Sequence, residues 1–291
     1  MRISAQFAIF TEQYGVEVSK KSTMTFLFRH VVPNRLSVAP LAKHKNFTPM
    51  ESTPHQQPIA LHYENLIAGR LLRRYARFLA DVKLSDGSTA TAHCPNSGSM
   101  RSCIEPQAEV MLTHTPNPNR RTQYTWELVR SNNCWVCINT QRANTLAIKL
   151  IKTNSIPSLN GYSTVQPEVR FGDSRFDILA QNANNQCFIE VKSVTLRESN
   201  RAQFPDSPTA RGLKHLHALM NAKAQGYRAA MLYMIQRADV EIFAPAWHID
   251  KAYAQALLKA HSAGVEVFAM RIDVSPQGLT PIGLIPYQLY I

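Results

Sequence analysis

Nowhere does this chain carry the roughly 18 to 20 consecutive apolar residues that a membrane-spanning helix needs, so no membrane partner is expected. No secretory leader is expected either: after Arg2 the apolar stretch from Ile3 to Phe10 is short and broken by Gln6, which makes a poor signal peptide. Cysteine is sparse and odd in number, five in 291 residues, which argues against a disulfide framework and for a reducing cytoplasm. Acid is what the chain lacks most. Twenty Asp and Glu stand against 32 Lys and Arg, leaving a formal net charge of +12. That surplus favours a polyanionic partner, nucleic acid or an anionic membrane surface, although charge alone equally fits a basic protein with neither. No internal repeat is evident. The apolar share is ordinary for a globular protein, and the length suggests two domains.

Residues 1–58 read differently from the rest. Their only acids are Glu12, Glu17 and Glu51, with none between Met24 and Met50, where Arg29, Arg35, Lys43 and Lys45 make the stretch basic. Prolines at 33, 40, 49, 54 and 58 interrupt any periodicity. Three readings compete: a disordered basic tail, an organellar presequence, or upstream codons translated ahead of a start at Met50.

Residues 59–140 are expected to form a first domain, and from residue 66 to about 138 the signals are all strand and turn. Arg77 to Leu84 alternates, with Phe78, Ala80, Val82 and Leu84 on one face, and Asp86-Gly87 supplies a hairpin turn before a return over Ser88 to His93. Further strands are predicted at Glu109–His114, Tyr124–Arg130 and Cys134–Asn139. Five short strands in so short a span predict a small OB-like barrel. Residues 141–291 switch to mixed α/β. A helix is predicted over Arg142–Ile151, then strands at Glu168–Phe171, Arg175–Gln181 and Gln186–Leu196. A helix from Thr209 to Gln225 ends at Gly226, and a strand at Arg228–Gln236 follows. A helix capped by Asp250 and a strand at Val265–Ile272 complete an αβββαβ order with one added αβ unit. The fold class expected is α+β.

Within Phe188-Ile189-Glu190-Val191-Lys192 the period of two sets Glu190 and Lys192 on one strand face. Asp177 sits between Phe176 and Ile178 on the preceding strand. A carboxylate inside an apolar strand is costly unless something compensates it, and a divalent cation would do so. Mg²⁺, with Mn²⁺ as a substitute, suits the hard oxygens of Asp177, Glu190 and the Val191 carbonyl. Lys192 would orient an attacking water or offset charge on a phosphoryl group. The bland reading is a solvated edge strand, with Asp177 paired to Arg175 or Arg170.

Candidate nucleic-acid contacts fall in three groups. Arg70, Arg73, Arg74 and Arg77 crowd the entry to the first predicted barrel strand, and Arg120 with Arg121 follow Asn117-Pro118-Asn119. Tyr75, Tyr124 and Trp126 are interleaved with them, as a stacking and phosphate surface requires, although Trp126 fits the barrel core better. In His93-Cys94-Pro95-Asn96-Ser97-Gly98-Ser99-Met100, a turn-rich loop, Ser97 and Ser99 could contact phosphate; a Cys94 nucleophile is much less favoured. On the later helix Arg211, Lys214 and His215 form a cationic stripe opposite Leu213, Leu216 and Met220. Its bland counterpart is a solvated face. Cys134 and Cys137 match Cys-x-x-Cys, yet no second pair lies at zinc-ribbon spacing, so core thiols are expected.

Together these segments resemble the sugar fermentation stimulation protein A family from about Leu66 to the C-terminus. The matches are Arg74-Tyr75, Arg77–Val82, His93–Met100, Tyr124–Glu127, Ile189–Leu196, Phe204-Pro205-Asp206, Arg211-Gly212 with Lys214-His215-Leu216, and Gln236-Arg237. The resemblance implies an OB-like domain, a PD-(D/E)xK restriction-endonuclease-like domain and DNA binding. It also implies a role in regulating sugar fermentation, notably maltose use. Asp177, Glu190 and Lys192 match the nuclease-like signature, and Glu168 is a further candidate acid. The family offers no counterpart for residues 1–58, which favours a start at Met50. Two functions follow: a Mg²⁺-dependent nuclease acting on DNA, RNA or single strands, or a DNA-binding regulator with a vestigial site.

Overall fold

The computed structural model describes Pro58 and residues 60–290. The expectation of a separate segment over 1–58 lies outside the described residues, Pro58 excepted. The chain forms a two-residue β1 (Leu61–His62), then β2 (Leu66–Tyr75), β3 (Leu79–Leu84), β4 (Thr89–His93), β5 (Glu109–His114), β6 (Tyr124–Ser131) and β7 (Cys134–Cys137). Strands β2 to β6 pair in the order β4-β3-β2-β5-β6, and a parallel β4–β6 pairing closes them into an OB-like barrel. Its interior is filled by fully buried side chains including Leu71, Val82, Leu112 and Trp126.

The barrel differs from expectation in its strands. The strand opening it is Leu66–Tyr75, while Cys134–Cys137 only extends the sheet beyond β6. Two irregularities hid β2. A register shift between Leu71 and Arg73 breaks its alternation and leaves Leu72 outside. Gly69 lies so close to β3 that a Cβ there would meet Val82 Cγ1 at 2.4 Å, so glycine marks a close strand approach. The β2–β3 turn carries Ala76 and Arg77 at φ of 45° and 63°, a conformation usually signalled by Asn-Gly. Phe78, expected on the apolar face with Ala80 and Val82, sits at this turn and is 43% exposed.

The second region runs α1 (Thr140–Lys152), β8 (Thr164–Phe171), β9 (Ser174–Gln181), β10 (Gln186–Val194), β11 (Leu196–Glu198), β12 (Arg201–Phe204) and α2 (Ala210–Ala224). It continues with β13 (Arg228–Ile235), β14 (Ile242–Pro245), α3 (Lys251–Ser262), β15 (Glu266–Ser275) and β16 (Gly278–Leu284). The main sheet is mixed, in the order β1-β16-β15-β13-β10-β9-β8, with β10, β13 and β15 parallel to one another. Leu61 and His62 pair with Leu279 and Gly278, so these residues, inside the span expected for the barrel, belong to this sheet. The expected strand over 186–196 is interrupted at Thr195, and β11, β12 and β14 form a small separate sheet.

Two apolar cores flank β10. On one side Phe188 packs with Phe176, Leu216, Tyr233 and Leu257 beneath α2 and α3. On the other, Ile189 and Val191 join Leu146, Ile178 and Leu232 under α1, and the barrel adds Leu128 and Cys137 there. Each such side chain contributes about 1.5–3 kcal/mol on burial. Asn139, Thr209 and Asp250 cap the three helices by accepting backbone N–H bonds. No described helix is long and apolar enough to cross a membrane.

Candidate active site

The antiparallel ladder of β9 and β10 runs from Gln181–Gln186 to Ile178–Ile189 and then stops. Its next step would set Asp177 opposite Glu190. There the side chain takes over from the backbone: Val191 N–H donates to Asp177 Oδ2 at 2.8 Å, satisfying an amide that burial would otherwise leave unpaired. The alternation of β9 breaks at the same point, since Phe176 and Ile178, two residues apart, enter opposite cores. On the far side, Asn144 of α1 donates to Asp177 Oδ1 at 2.9 Å.

Glu190 is 1% exposed. Its Oε1 accepts from Lys192 Nζ at 2.5 Å and also contacts His215 Nδ1 from α2. Its Oε2 is buried and has no hydrogen-bond partner among the described residues. Burial opposes ionisation of Glu190, yet the His215 contact and the Lys192 charge outweigh it and hold its pKa below the ordinary value. Asp177 moves the other way, raised by burial and then by the charge of Glu190. Asp177, raised in part by the charge of Glu190, thus stands beside a carboxylate with an unpartnered buried oxygen, a donor set that a cation would suit. Among the described residues no cluster of three or more His, Cys, Asp or Glu is set to hold a metal. The oxygens present suit a hard ion that retains waters rather than a closed side-chain cage.

These acids line a cavity of about 350 Å³ between the barrel and the mixed sheet. Ser193 Oγ and Gln203 Oε1, from residues on its wall, are also buried without partners among the described residues. One wall is the loop after β4. It is fastened to α1 by Thr140 Oγ1 donating to Pro95 O at 3.0 Å. At its other end Ser99 Oγ donates to Asp206 O at 2.6 Å and Met100 N to Asp206 Oδ2 at 2.9 Å.

The structure sorts the candidate residues. Asp177, Glu190, Val191 and Lys192 converge on the cavity, with Ser97 and Arg211 on its rim. Asp177 makes no ion pair with Arg170 or Arg175; Arg175 pairs instead with Glu168, which is half exposed and lies outside the cavity lining. The expected stripe on α2 is not a stripe. Lys214 donates to Asp173 O and His215 is buried against Glu190, because the buried face of α2 runs through Gly212, His215, Leu216 and Leu219. Arg74 donates to the carbonyls of Asn96, Gly98 and Ser99, and Arg77 to that of Ser97, so both brace the loop. Ser99 spends its hydroxyl on Asp206. Arg70 pairs with Glu109, Arg73 with Asp81, and Arg120 donates to Thr125; Arg121 is exposed. Trp126, Cys94 and Cys137 are core residues, and Cys134 is half-buried. Sequence reasoning missed Asn144 and Gln203, whose settings look like any polar helix face or short strand.

Comparison with known proteins agrees with this architecture. The SfsA N-terminal OB domain matches residues 72–138, and the sugar fermentation stimulation protein RE domain matches residues 141–278. The sugar fermentation stimulation protein homolog of Geotalea uraniireducens is 47% identical over 219 residues, covering 75% of this chain and 95% of its own. The chain belongs to the sugar fermentation stimulation protein family. A Shewanella baltica homolog is 49% identical over 212 residues, covering 72% of this chain and 91% of its own. The solved structure of Pyrococcus furiosus SfsA, in complex with Ca²⁺, is 26% identical with a TM-score of 0.73, covering 79% of this chain and 99% of that one.

Proposed function

We propose that this protein binds nucleic acid and hydrolyses phosphodiester bonds in the cavity between barrel and sheet, with Asp177, Glu190 and the Val191 carbonyl holding Mg²⁺ or, in its place, Mn²⁺. The observation that carries this reading is the buried, unpartnered Glu190 Oε2 beside a second carboxylate of raised pKa. A pure binding surface gains nothing from acids that repel phosphate. The Ca²⁺ of the Pyrococcus furiosus relative supports a hard, oxygen-seeking ion. When bound, such an ion would neutralise phosphoryl charge and lower the pKa of an attacking water. The chain's own groups do the rest. Asn144 and the Val191 amide orient Asp177, and His215 and Lys192 fix one oxygen of Glu190 so that the other stays free. Lys192 and Arg211 bring positive charge to the cavity that receives the phosphate.

The net charge of +12 supports long-range attraction of a polyanion. On duplex DNA, log K should fall by about 0.9 per phosphate contacted for each unit of log salt. The deciding experiment incubates the protein with plasmid, single-stranded DNA and RNA, with and without Mg²⁺ or Mn²⁺. Cleavage that needs the metal and vanishes in Asp177→Asn and Lys192→Ala supports the proposal; metal-independent or absent cleavage sinks the enzymatic part. A second reading is a DNA-binding regulator of sugar use such as maltose, of which the relatives' names supply only the link to sugar fermentation. It is favoured by the 2.5 Å contact that holds Lys192 against Glu190. Binding without turnover would select it.

A further inference from the structure

The barrel carries an exposed aromatic and cationic track that begins at the wall of the cavity. Phe78 is 43% exposed and lies outside the barrel core. A lone exposed phenylalanine needs no explanation, but this one is built into an arrangement. The His93 ring is stacked near it, with centroids 6.4 Å apart and planes 27° apart. The Arg77 guanidinium stands 5.8 Å from its ring centroid. Arg77 also donates to Ser97 O at 3.0 Å, so the track touches the loop that walls the cavity. On its other side His93 pairs with Thr125, and Thr125 Oγ1 accepts from Arg120 at 2.9 Å.

The cavity itself is small. Its volume of about 350 Å³ is at the low end for small-molecule sites, and the barrel loop is pinned at both ends, to Thr140 and to Asp206. A space of this size takes about one nucleotide, and the exposed Phe78 ring beside it can stack only on a base whose face is free, that is, an unpaired one. We propose that the cavity admits a single-stranded nucleic acid one nucleotide deep, with an adjoining base stacked on Phe78 and the backbone led toward Arg120. A stacking surface edged by arginines is the chemistry that holds unpaired bases without regard to sequence. This rests on the phosphodiester reading of the cavity, and it adds the strand type and the residues that select it.

The test measures binding in Ca²⁺ by fluorescence anisotropy. The probes are a labelled single-stranded oligodeoxynucleotide, the oligoribonucleotide of the same sequence, and the blunt duplex. The full chain should bind at least one single strand about tenfold more tightly than the duplex, and the two single-stranded arms tell DNA from RNA. Phe78→Ala should weaken that binding about tenfold, the effect of removing one base-stacking aromatic, with Phe78→Trp restoring it and the weak duplex binding unchanged. A fluorescent adenine analogue in the strand should be quenched by the parent protein and not by Phe78→Ala. Equal affinity for duplex and single strand, or a Phe78→Ala variant that binds as the parent does, overturns the inference. The two readings fail separately. A strand preference that persists without any cleavage sinks the phosphodiesterase and supports this one. Metal-dependent cutting of closed duplex as fast as of single strands does the opposite.

Discussion

Asn144 donates its side-chain amide to Asp177 Oδ1 at 2.9 Å, tying the first helix after the barrel to the acid on β9. With the Val191 amide on Oδ2, it leaves the carboxylate one defined orientation. A hydrogen bond to a charged acceptor contributes about 1.5–3 kcal/mol. Asn144→Ala should therefore lower affinity for Mn²⁺ or Ca²⁺, by about tenfold, in a calorimetric titration, while the helix stays folded. Unchanged affinity would show that Asp177 needs no such support.

His215 bears on the same site from α2. Together with Lys192 it contacts Glu190 Oε1, and both Glu190 and His215 are buried. His215→Ala leaves a buried carboxylate short of a partner, which costs about 1–3 kcal/mol. Urea denaturation should register that loss, and His215→Gln, which keeps a donor, should recover part of it. A neutral His215→Ala would mean that Lys192 alone stabilises Glu190.

Much of this site is readable from residues that stand out against their element. Asp177 and Glu190 are acids inside apolar strands, and Lys192 follows at the strand period, so all three are visible without coordinates. The two later helices also announce themselves, through Thr209 and Asp250 at their starts and Gly226 and Gly264 at their ends, whereas Asn139, which caps α1, reads as the end of a strand. What is hidden depends on contacts between distant segments. Whether His215 lies on the solvent or the core face of α2 is decided by a carboxylate on another element, so helical spacing alone groups it with Arg211 and Lys214. Strand β2 is obscured because its bulge breaks the period of two and its turn uses Ala76 and Arg77 in place of Asn-Gly. Arg74 looks like a phosphate ligand until the carbonyls of Asn96, Gly98 and Ser99 are seen to claim it.

Acid should loosen the joint between barrel and sheet. Arg237 is fully buried, pairs with Asp239 at 2.6 Å, and donates to Thr195 O, which also accepts from Ser102 of the barrel. Burial opposes ionisation of Asp239, but the hydrogen bond and charge of Arg237 outweigh it and hold the pKa below its ordinary value. A carboxylate depressed in the folded state contributes stability above its unfolded pKa of about 3.9 and loses it as pH falls through the folded value. Asp239→Asn should cost about 3 kcal/mol near neutral pH by leaving Arg237 uncompensated. The gap between variant and parent should narrow as pH falls below about 3.9. Denaturation curves at both extremes check this, and a gap independent of pH would contradict it.

Gly98 and Asp206 set how closely the barrel loop seats on the second domain. A Cβ built on Gly98 would stand 2.4 Å from both carboxylate oxygens of Asp206. Its φ lies outside the left-handed region, so the demand for glycine is steric rather than conformational. Asp206 is held in place because its carboxylate accepts the Met100 amide and its carbonyl accepts Ser99 Oγ. Gly98→Ala must therefore push the loop off Asp206, at about 1–3 kcal/mol for overpacking. Asp206→Ala alone should cost less, about 1 kcal/mol for the lost Met100 hydrogen bond. In the double variant the obstacle is gone, so adding Gly98→Ala to Asp206→Ala should cost almost nothing, a coupling of the size expected between residues in contact. Four denaturation curves suffice to close the cycle. If Gly98→Ala destabilises both backgrounds equally, the carboxylate is not what excludes a side chain at position 98, and the loop is seated by Pro95 and Thr140 instead.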